Sequence, residues 1–294
     1  MHRGEEQRQG WLFVSPAVIH LAVFALIPIG YALYLSLFKW QLLRESQEFI
    51  GLQNYAMSLA ESPFWNAMWN SGRYAIVSVP AGMIVALAVA ILVNQKLRGI
   101  TVFRTLFYIP AIASGVAISM LWIYVYLPET GMINTILGSF GVQSIDFLNR
   151  AEWAMWALVF MSIWTGLGPR MVLFLAGLLS IPQPLYEAAE LDGASRWRCF
   201  VSITLPMLAP TTLFVLITST ISALQIFTPV YMMTKGQPED TTDVIGYHIY
   251  SEAWVNFNIG LASAKSFLLL IVIAAISLLQ FRLMKKPMED FSTG

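Results

Sequence analysis

The chain has 294 residues, of which 57% are hydrophobic and only 12% are charged, and its mean hydropathy is +0.65. A soluble domain carries about 25% charged residues, so this composition excludes an ordinary soluble fold and predicts a polytopic membrane protein. The formal net charge is zero and no basic block is present, which leaves nucleic-acid binding without an electrostatic basis. The single cysteine, Cys199, excludes an internal disulfide, and the three histidines make no metal-binding pattern, so no metal site is predicted.

Apolar segments follow one another along the chain, and each is long enough to cross the ~30 Å hydrocarbon core of a bilayer as a helix. The first contains Pro16 and Pro28, and it lacks the small-residue cleavage site of a signal peptide, so it is predicted to be a span. We therefore predict an all-α polytopic membrane protein in which residues 1–294 form a single transmembrane domain. The six predicted spans are about 11–38, 73–93, 102–127, 153–179, 207–231 and 259–283, and a polar loop occupies 180–206.

The polar loop at 180–206 contains the most charged run in the second half of the chain, which extends from Glu187 to Ser195. Two prolines just before this run favour a helix that starts at Leu185 and carries Glu187 and Glu190 in its first turns, where carboxylates complement the helix dipole. Gly193 is expected to end or bend this helix. The loop thus predicts a short helix that is displayed on one face of the membrane.

Small side chains follow the first carboxylate of this run at helical spacing. Ala188, Ala189 and Ala194 leave a low surface that a partner protein would approach closely, and Glu187 and Asp192 supply charge around it. A partner protein would therefore approach the backbone of this helix closely and meet charged side chains around the contact. This combination predicts a docking helix.

The loop closely resembles the EAA loop found in permease subunits of binding-protein-dependent ABC importers. It reads Glu187-Ala-Ala-x-x-Asp192-Gly193-Ala and is followed by Phe200 and Leu205–Pro206. The resemblance is to the carbohydrate-uptake branch, of the maltose, glycerol phosphate and multiple-sugar type, and it covers most of the chain. Further similar runs are Gly51–Tyr55, Phe103–Pro110, Leu175–Pro182 and Met233–Gly236. One departure is Gly236-Gln237-Pro238, where the family more usually has Gly-Gly-Pro.

This resemblance implies the fold of a type I ABC importer permease, with a cytoplasmic coupling helix between spans 4 and 5. It implies cytoplasmic ABC ATPase subunits, a second homologous permease subunit and an extracytoplasmic solute-binding protein as partners, with a carbohydrate as the small-molecule substrate. ATP and Mg²⁺ would be bound by the partner ATPase, so no cofactor is expected in this chain. The residues implied to contact the ATPase are Glu187, Ala188, Ala189, Asp192, Gly193 and Ala194.

The sequence contains no phosphate-binding loop of the form Gly-x-x-x-x-Gly-Lys-[Ser/Thr], which ATP hydrolysis would need. It also lacks the Gly-x-Ser-x-Gly and His-Glu-x-x-His patterns of hydrolases. The chain is therefore not expected to be an enzyme, and the energy for transport is expected to come from another polypeptide.

The placement of lysines and arginines predicts the orientation in the membrane. With a cytoplasmic N-terminus, basic residues on the cytoplasmic side outnumber those on the opposite side by about two to one. This bias favours cytoplasmic N- and C-termini. The resemblance to ABC importer permeases implies that the membrane is the plasma (inner) membrane of a prokaryote. The cytoplasmic group is Arg3, Arg8, Lys96, Arg98, Arg104, Arg196, Arg198, Arg282, Lys285 and Lys286, and the opposite group is Lys39, Arg44, Arg73, Arg150 and Lys235.

Apart from residues at the span ends, one arginine and one lysine fall inside predicted spans, where ionisable groups are costly and are functional candidates. Arg170 follows Gly166-Leu-Gly168-Pro169, a cluster that would unwind the fourth span and expose backbone carbonyls toward a central cavity. Arg170 is then a candidate for substrate contact, and the alternative is that it snorkels or pairs to lock helix packing. Lys265, near the outer end of the sixth span, is expected to snorkel.

A sugar site would combine aromatic faces with hydrogen-bonding side chains near the middle of the bilayer. The alternative for each such residue is an interfacial aromatic belt or a hydrogen bond that holds helices together. The candidates for the substrate pathway, beside Arg170, are Trp164, Trp122, Tyr124, Ser219, Ser222 and Gln225.

An ion-coupled secondary transporter is the main rival function. It would need acidic groups buried in its spans, whereas every Asp and Glu here falls in a loop or at the end of a segment. Within the ABC class, a permease for a non-sugar solute, such as a phosphate ester or a polyamine, stays open. The sequence alone does not name the solute.

Overall fold

The computed structural model describes residues 2–42, 47–95 and 99–292, and it describes side chains only between residues 11 and 284. Arg44, Lys96 and Arg98 lie outside the described residues, as do the side chains of Arg3, Arg8, Lys285 and Lys286. Contacts between residues divide the chain into two compact units. The first comprises Met1–Ser62 and Ile249–Leu270, and the second comprises Pro63–His248 and Ile271–Gly294. The single transmembrane domain stays a prediction.

The first unit opens with a long apolar helical segment that is interrupted by one π-helical turn. Pro28 lies at the start of the helix after this interruption, while Pro16 lies inside the first helix. A two-residue antiparallel ladder pairs Phe38 with Phe49. The elements are α1 (His2–Leu21), the π-helical turn Ala22–Leu26, α2 (Ile27–Ser36), β1 (Phe38–Lys39), β2 (Glu48–Phe49) and α3 (Gln53–Ala60).

A buried ion cluster in the first unit overturns the expectation that Lys265 snorkels. The Lys265 side chain is fully buried, and its Nζ lies 2.8 Å from Glu61 Oε2 and 2.9 Å from Glu252 Oε2. Asn258 Nδ2 donates a further hydrogen bond of 2.8 Å to Glu252 Oε1. Because two carboxylates supply the counter-charge, the ammonium group has no need to reach water. The prediction for Lys265 was therefore wrong.

All regular secondary structure in the described part of the second unit is helical. Its helices are α4 (Ser62–Val93), α5 (Ile100–Ile112), α6 (Gly115–Val125), α7 (Met132–Ser139), α8 (Ala151–Thr165), α9 (Leu167–Leu179), α10 (Gln183–Leu191), α11 (Arg196–Cys199), α12 (Leu205–Met207), α13 (Ala209–Leu224) and α14 (Thr228–Met233). A π-helical turn, Phe200–Thr204, separates α11 from α12. The last helices, α15 (Ile245–Tyr250) and α16 (Ile259–Ser292), flank the π-helical turn Ser251–Val255 and contribute residues to both units.

Within the described residues, four helical segments are long and apolar enough to cross a membrane, and the number rises to six if each of two bent pairs counts as one span. The four are Trp11–Ser36, Ser62–Val93, Ala209–Met233 and Ile259–Met284. The bent pairs are Ile100–Ile112 with Gly115–Val125 and Ala151–Thr165 with Leu167–Leu179. An all-α polytopic membrane fold is thus confirmed.

The third predicted span consists of two helices, α5 and α6, that meet at 100°. Ala113 and Ser114 adopt extended backbone between them, and the chain returns to helix at Gly115. The bend lets α6 pack against α7 and α14. The fourth predicted span bends by 47° between α8 and α9.

The glycine and proline cluster of the fourth span does not unwind the helix as expected. Only Gly166 lies between α8 and α9, while Gly168 and Pro169 belong to the first turn of α9, where a missing N–H is tolerated. A Cβ atom on Gly168 would lie 2.6 Å from the carbonyl oxygen of Phe107 and 2.7 Å from Tyr108 Cα. This glycine therefore serves the close packing of α5 on α9, and the prediction of an unwound segment was wrong.

One hydrophobic cluster of the second unit is built around α9. Met171 and Phe174 are almost completely buried and pack with Ala86 and Ala90 of α4 and with Leu208, which precedes α13. Small residues on α4 face large ones on α9, so the helices approach closely. This packing holds α9 in place. The cavity lies near the first residues of α9, and α10 follows its last residue.

Candidate substrate cavity and ATPase-docking segment

The predicted docking helix is present as α10, but it begins earlier than the sequence suggested. Pro182 is its N-cap in extended backbone, and Pro184 lies in its first turn, where proline is well tolerated. The helix therefore does not start at Leu185, and no carboxylate lies in its first turn. The expectation that Glu187 and Glu190 complement the dipole at the helix start was wrong.

The end of α10 follows the predicted chemistry. Gly193 has φ +74°, a left-handed conformation that favours glycine. The N–H of Ala194 donates to the carbonyl oxygen of Ala189 over 2.9 Å and closes the last turn. The chain reverses here and enters α11 after Ser195.

The surface of α10 is open. None of its residues is buried, and Glu187 and Ala188 are both exposed. Leu191, at its end, is 90% exposed. One anchor holds the helix: the hydroxyls of Tyr186 and Thr204 share a hydrogen bond of 2.8 Å. The segment is therefore a fixed helix that presents carboxylates, alanines and a leucine outward.

A cavity of about 420 Å³ lies among α4, α5, α6, α8, α9, α13 and α14 of the second unit. Hydroxyl groups dominate its polar lining, and Arg170 is the one charged residue among the described residues that line it. The polar lining residues are Tyr74, Ser78, Ser162, Thr165, Arg170 and Ser222.

The Arg170 guanidinium is held between helices. Its Nε donates a hydrogen bond of 3.1 Å to Ser219 Oγ, while its buried Nη1 makes no hydrogen bond within the described chain. Glycines make room for it: a Cβ on Gly166 would lie 2.9 Å from Nη1, and a Cβ on Gly82 would clash with the same nitrogen. Arg170 thus lies against the middle of α4 and does not extend toward a helix end.

The structure brings together three of the predicted pathway residues, Arg170, Ser219 and Ser222. Ser222 lines the cavity and is exposed, and Ser219 contacts the guanidinium. Gln225 is exposed but is not among the described residues that line the cavity.

The three aromatic candidates do not line this cavity. Trp122 is 6% exposed and belongs to an apolar cluster with Ile118. Its ring centroid lies 5.6 Å from that of Trp164 in an edge-to-face contact, so these two rings pack on each other. Tyr124 is 71% exposed. Their arrangement agrees with helix packing and an outward-facing aromatic.

Sequence reasoning missed four of the polar lining residues. Tyr74 and Ser78 lie one turn apart on α4, and Ser162 and Thr165 lie one turn apart on α8. Residues at such spacing share one face of a helix. Pairs of polar side chains on one face of an otherwise apolar span were the signal that would have identified them.

Comparisons with known proteins agree with this architecture. The probable ABC transporter permease protein YesP of Bacillus subtilis (strain 168) is 35% identical over 278 residues, which are 93% of this chain and 89% of that protein. The lactose transport system permease protein LacF of Rhizobium radiobacter is 34% identical, with 92% of each chain covered. The sn-glycerol-3-phosphate transport system permease protein UgpA of Agrobacterium fabrum (strain C58 / ATCC 33970) is 32% identical, with 94% of each covered.

A solved structure shares the fold. One chain of a bacterial ABC transporter involved in the import of the acidic polysaccharide alginate superposes with a TM-score of 0.83 at 24% sequence identity, covering 97% of this chain and 99% of that one. This likeness shows the fold of the chain. A family model described as the binding-protein-dependent transport system inner membrane component matches residues 78–286. The chain belongs to this family, which is a family of multi-pass permeases and not of enzymes.

Membership of this family decides between the functions weighed from the sequence. The chain is the permease subunit of an ABC importer, and an ion-coupled secondary transporter is not favoured. The resemblance seen in the EAA-like loop is thereby confirmed at the level of the family.

Proposed function

We propose that this chain forms half of the translocation pathway for a sugar or sugar-like solute and works by alternating access. The names of its relatives support a solute of this class, because LacF belongs to a lactose transport system and UgpA to a glycerol-phosphate transport system. The cavity supports it too, since hydroxyl side chains such as Ser162, Thr165 and Ser222 suit hydrogen bonding to a polyhydroxylated solute.

Coupling to ATP hydrolysis runs through the segment Glu187–Ser195 in this proposal. The observation that carries it is the exposure of α10 together with its anchor at Tyr186. A cytoplasmic ABC ATPase subunit would bind ATP and Mg²⁺ and receive the helix in a cleft. Glu187 would make the charged contact, Ala188, Ala189 and Ala194 would fit the cleft wall, Asp192 would add charge at its rim, and Gly193 would permit the turn.

The remaining proposed partners follow from the similarity to ABC importer permeases. The pathway would be completed by a second, homologous permease subunit, and an extracytoplasmic solute-binding protein would deliver the solute. The alginate transporter is relevant here because it has been crystallised in complex with an alginate pentasaccharide-bound periplasmic protein. Cytoplasmic N- and C-termini would place α10 on the side where ATP is hydrolysed.

The test is binding-protein-stimulated ATP hydrolysis by the purified importer, with the amount of co-purified ATPase subunit recorded. Glu187→Ala is compared with Glu129→Ala, which removes an exposed carboxylate elsewhere in the chain. A hydrogen bond to a charged group contributes about 1.5–3 kcal/mol, so we expect Glu187→Ala to lower stimulated hydrolysis or ATPase retention by roughly tenfold or more. Equal values for the two variants would contradict the proposed coupling role.

A further inference from the structure

Within the described residues, Arg170 is a half-buried cation with a fully buried Nη1 and no counter-charge. In the part of the chain that the structure describes, its guanidinium makes one hydrogen bond, to the neutral hydroxyl of Ser219, and no ion pair. Several of its N–H donors are therefore left for another partner. The contrast is Lys265, the other basic residue of a predicted span, which is paired with two carboxylates.

An unpaired charge inside a membrane protein is expensive, and such residues usually face a cavity or a substrate pathway. Arg170 meets both conditions, since it lines the cavity and lies well inside the fourth predicted span, away from the ends toward which a side chain would snorkel. The space for its head is provided by Gly82 and Gly166. Gly82 on α4 and Gly166 at the junction of α8 and α9 therefore have no side chains at the point where the guanidinium is held.

We propose that this cavity binds an anionic group of the solute on Arg170, so that the importer takes an acidic sugar that carries a carboxylate or a phosphate. This inference rests on the proposed function and narrows its substrate class. A guanidinium binds planar carboxylates and phosphates through paired N–H donors. The hydroxyls of Tyr74, Ser162, Thr165 and Ser222 would then pair with the hydroxyls of the sugar.

The positive potential of the cavity is tested directly with charged thiol reagents. Ser222→Cys is introduced into the assembled importer on a Cys199→Ser background, so that this chain carries one reactive thiol. Its modification by anionic 2-sulfonatoethyl methanethiosulfonate is compared with that by the cationic trimethylammonium reagent, and the peptide is followed by mass spectrometry. Ser139→Cys, at an exposed position outside the cavity, supplies the reference ratio.

We expect the anionic reagent to be favoured at residue 222 over the reference by on the order of tenfold, which corresponds to about 1.4 kcal/mol. Arg170→Gln should remove this preference, and Arg170→Lys should keep part of it. The proposal is overturned if, with Arg170 intact, the ratio of anionic to cationic labelling at residue 222 equals the ratio at residue 139. A carboxylate of another subunit would then neutralise the guanidinium. This outcome does not depend on whether the Arg170 variants fold.

Transport distinguishes the two anionic groups and separates this inference from the proposed function. ATP-dependent uptake of digalacturonate, sn-glycerol 3-phosphate and lactose is measured in proteoliposomes with the importer's own binding protein. The proposal is supported if the importer takes up one of the two anionic probes and the Arg170→Gln variant does not. The probe that is transported then shows whether the group bound is a carboxylate or a phosphate. Uptake of lactose alone, retained in Arg170→Gln, overturns the inference and leaves the sugar permease standing. Uptake of none of the three contradicts the proposed sugar function, while the labelling ratio still decides whether an anion site exists.

Discussion

The hydroxyls of Tyr186 and Thr204 lie 2.8 Å apart and join α10, the predicted docking helix, to the segment that leads into α13. Tyr186 belongs to α10, and Thr204 ends the π-helical turn that leads through α12 into α13. Because α13 carries Ser219 and Ser222, a displacement of α10 has a short covalent and hydrogen-bonded route to the cavity. The pair is therefore a candidate link between ATP hydrolysis and solute movement.

Tyr186→Phe should weaken this link while leaving the helix in place. The lost hydrogen bond is worth about 1 kcal/mol, so we expect the amount of solute transported per ATP hydrolysed to fall by up to about fivefold. Parallel measurements of uptake and phosphate release in proteoliposomes check this. Thr204→Val removes the other hydroxyl, and the double variant should be no worse than either single one. Additive losses in the double variant would show that the two hydroxyls do not act together.

Gly193→Asp should uncouple the importer, because an added side chain would meet the wall of the ATPase cleft. Within the described chain a Cβ at Gly193 meets nothing within 4 Å, so the expected clash lies in the partner. Gly141→Asp is a matched control, since Gly141 also has a positive φ, of +78°, and open space around it. We expect stimulated ATP hydrolysis to fall about tenfold or more in Gly193→Asp alone. If both variants lose activity equally, backbone strain and not docking is the cause.

Gly82→Ala should displace the Arg170 side chain by direct contact from a different helix. The new methyl group would occupy the position of the guanidinium Nη1 and displace it, so we expect the preference for the anionic thiol reagent at residue 222 to fall toward the level of Arg170→Gln. Gly72→Ala lies on the same helix and has nothing within 4 Å, so it should keep the preference. An unchanged preference in Gly82→Ala would mean that the guanidinium does not lie where the structure has it.

Lys265→Met should destabilise the protein, because it leaves Glu61 and Glu252 without their shared cation. Breaking a buried ion pair costs about 3–5 kcal/mol, and thermal unfolding in detergent should show a clearly lower midpoint. Adding Glu252→Gln should recover part of the loss, since a neutral amide needs no counter-charge. Lys39→Met, which removes an exposed cation, is the control and should leave the midpoint nearly unchanged. A Lys265→Met midpoint equal to that of the control would refute a structural role for the cluster.

The docking helix shows how far local sequence rules reach. The end of α10 was predictable because Gly193 acts through its own backbone angles. Its start was misplaced because proline is tolerated both before a helix and within its first turn. The sequence around Pro184 does not distinguish these two positions. The same ambiguity affected the fourth span, where Gly168 and Pro169 were taken for helix breakers. Contact with Phe107 on another helix explains Gly168, and no local pattern reports such a contact.

The sequence by itself determined that this protein is a helical membrane permease, where its apolar segments lie and that the loop at 180–206 carries a short exposed helix. These properties depend on composition, on segment length and on neighbouring residues, all of which are visible in one dimension. Tertiary structure alone decided the states of the two basic residues in predicted spans: Lys265 is neutralised by carboxylates, and Arg170 is left with a hydroxyl. The reason is that the electrostatic energy of a buried charge is set by atoms that are far away in sequence and close in space.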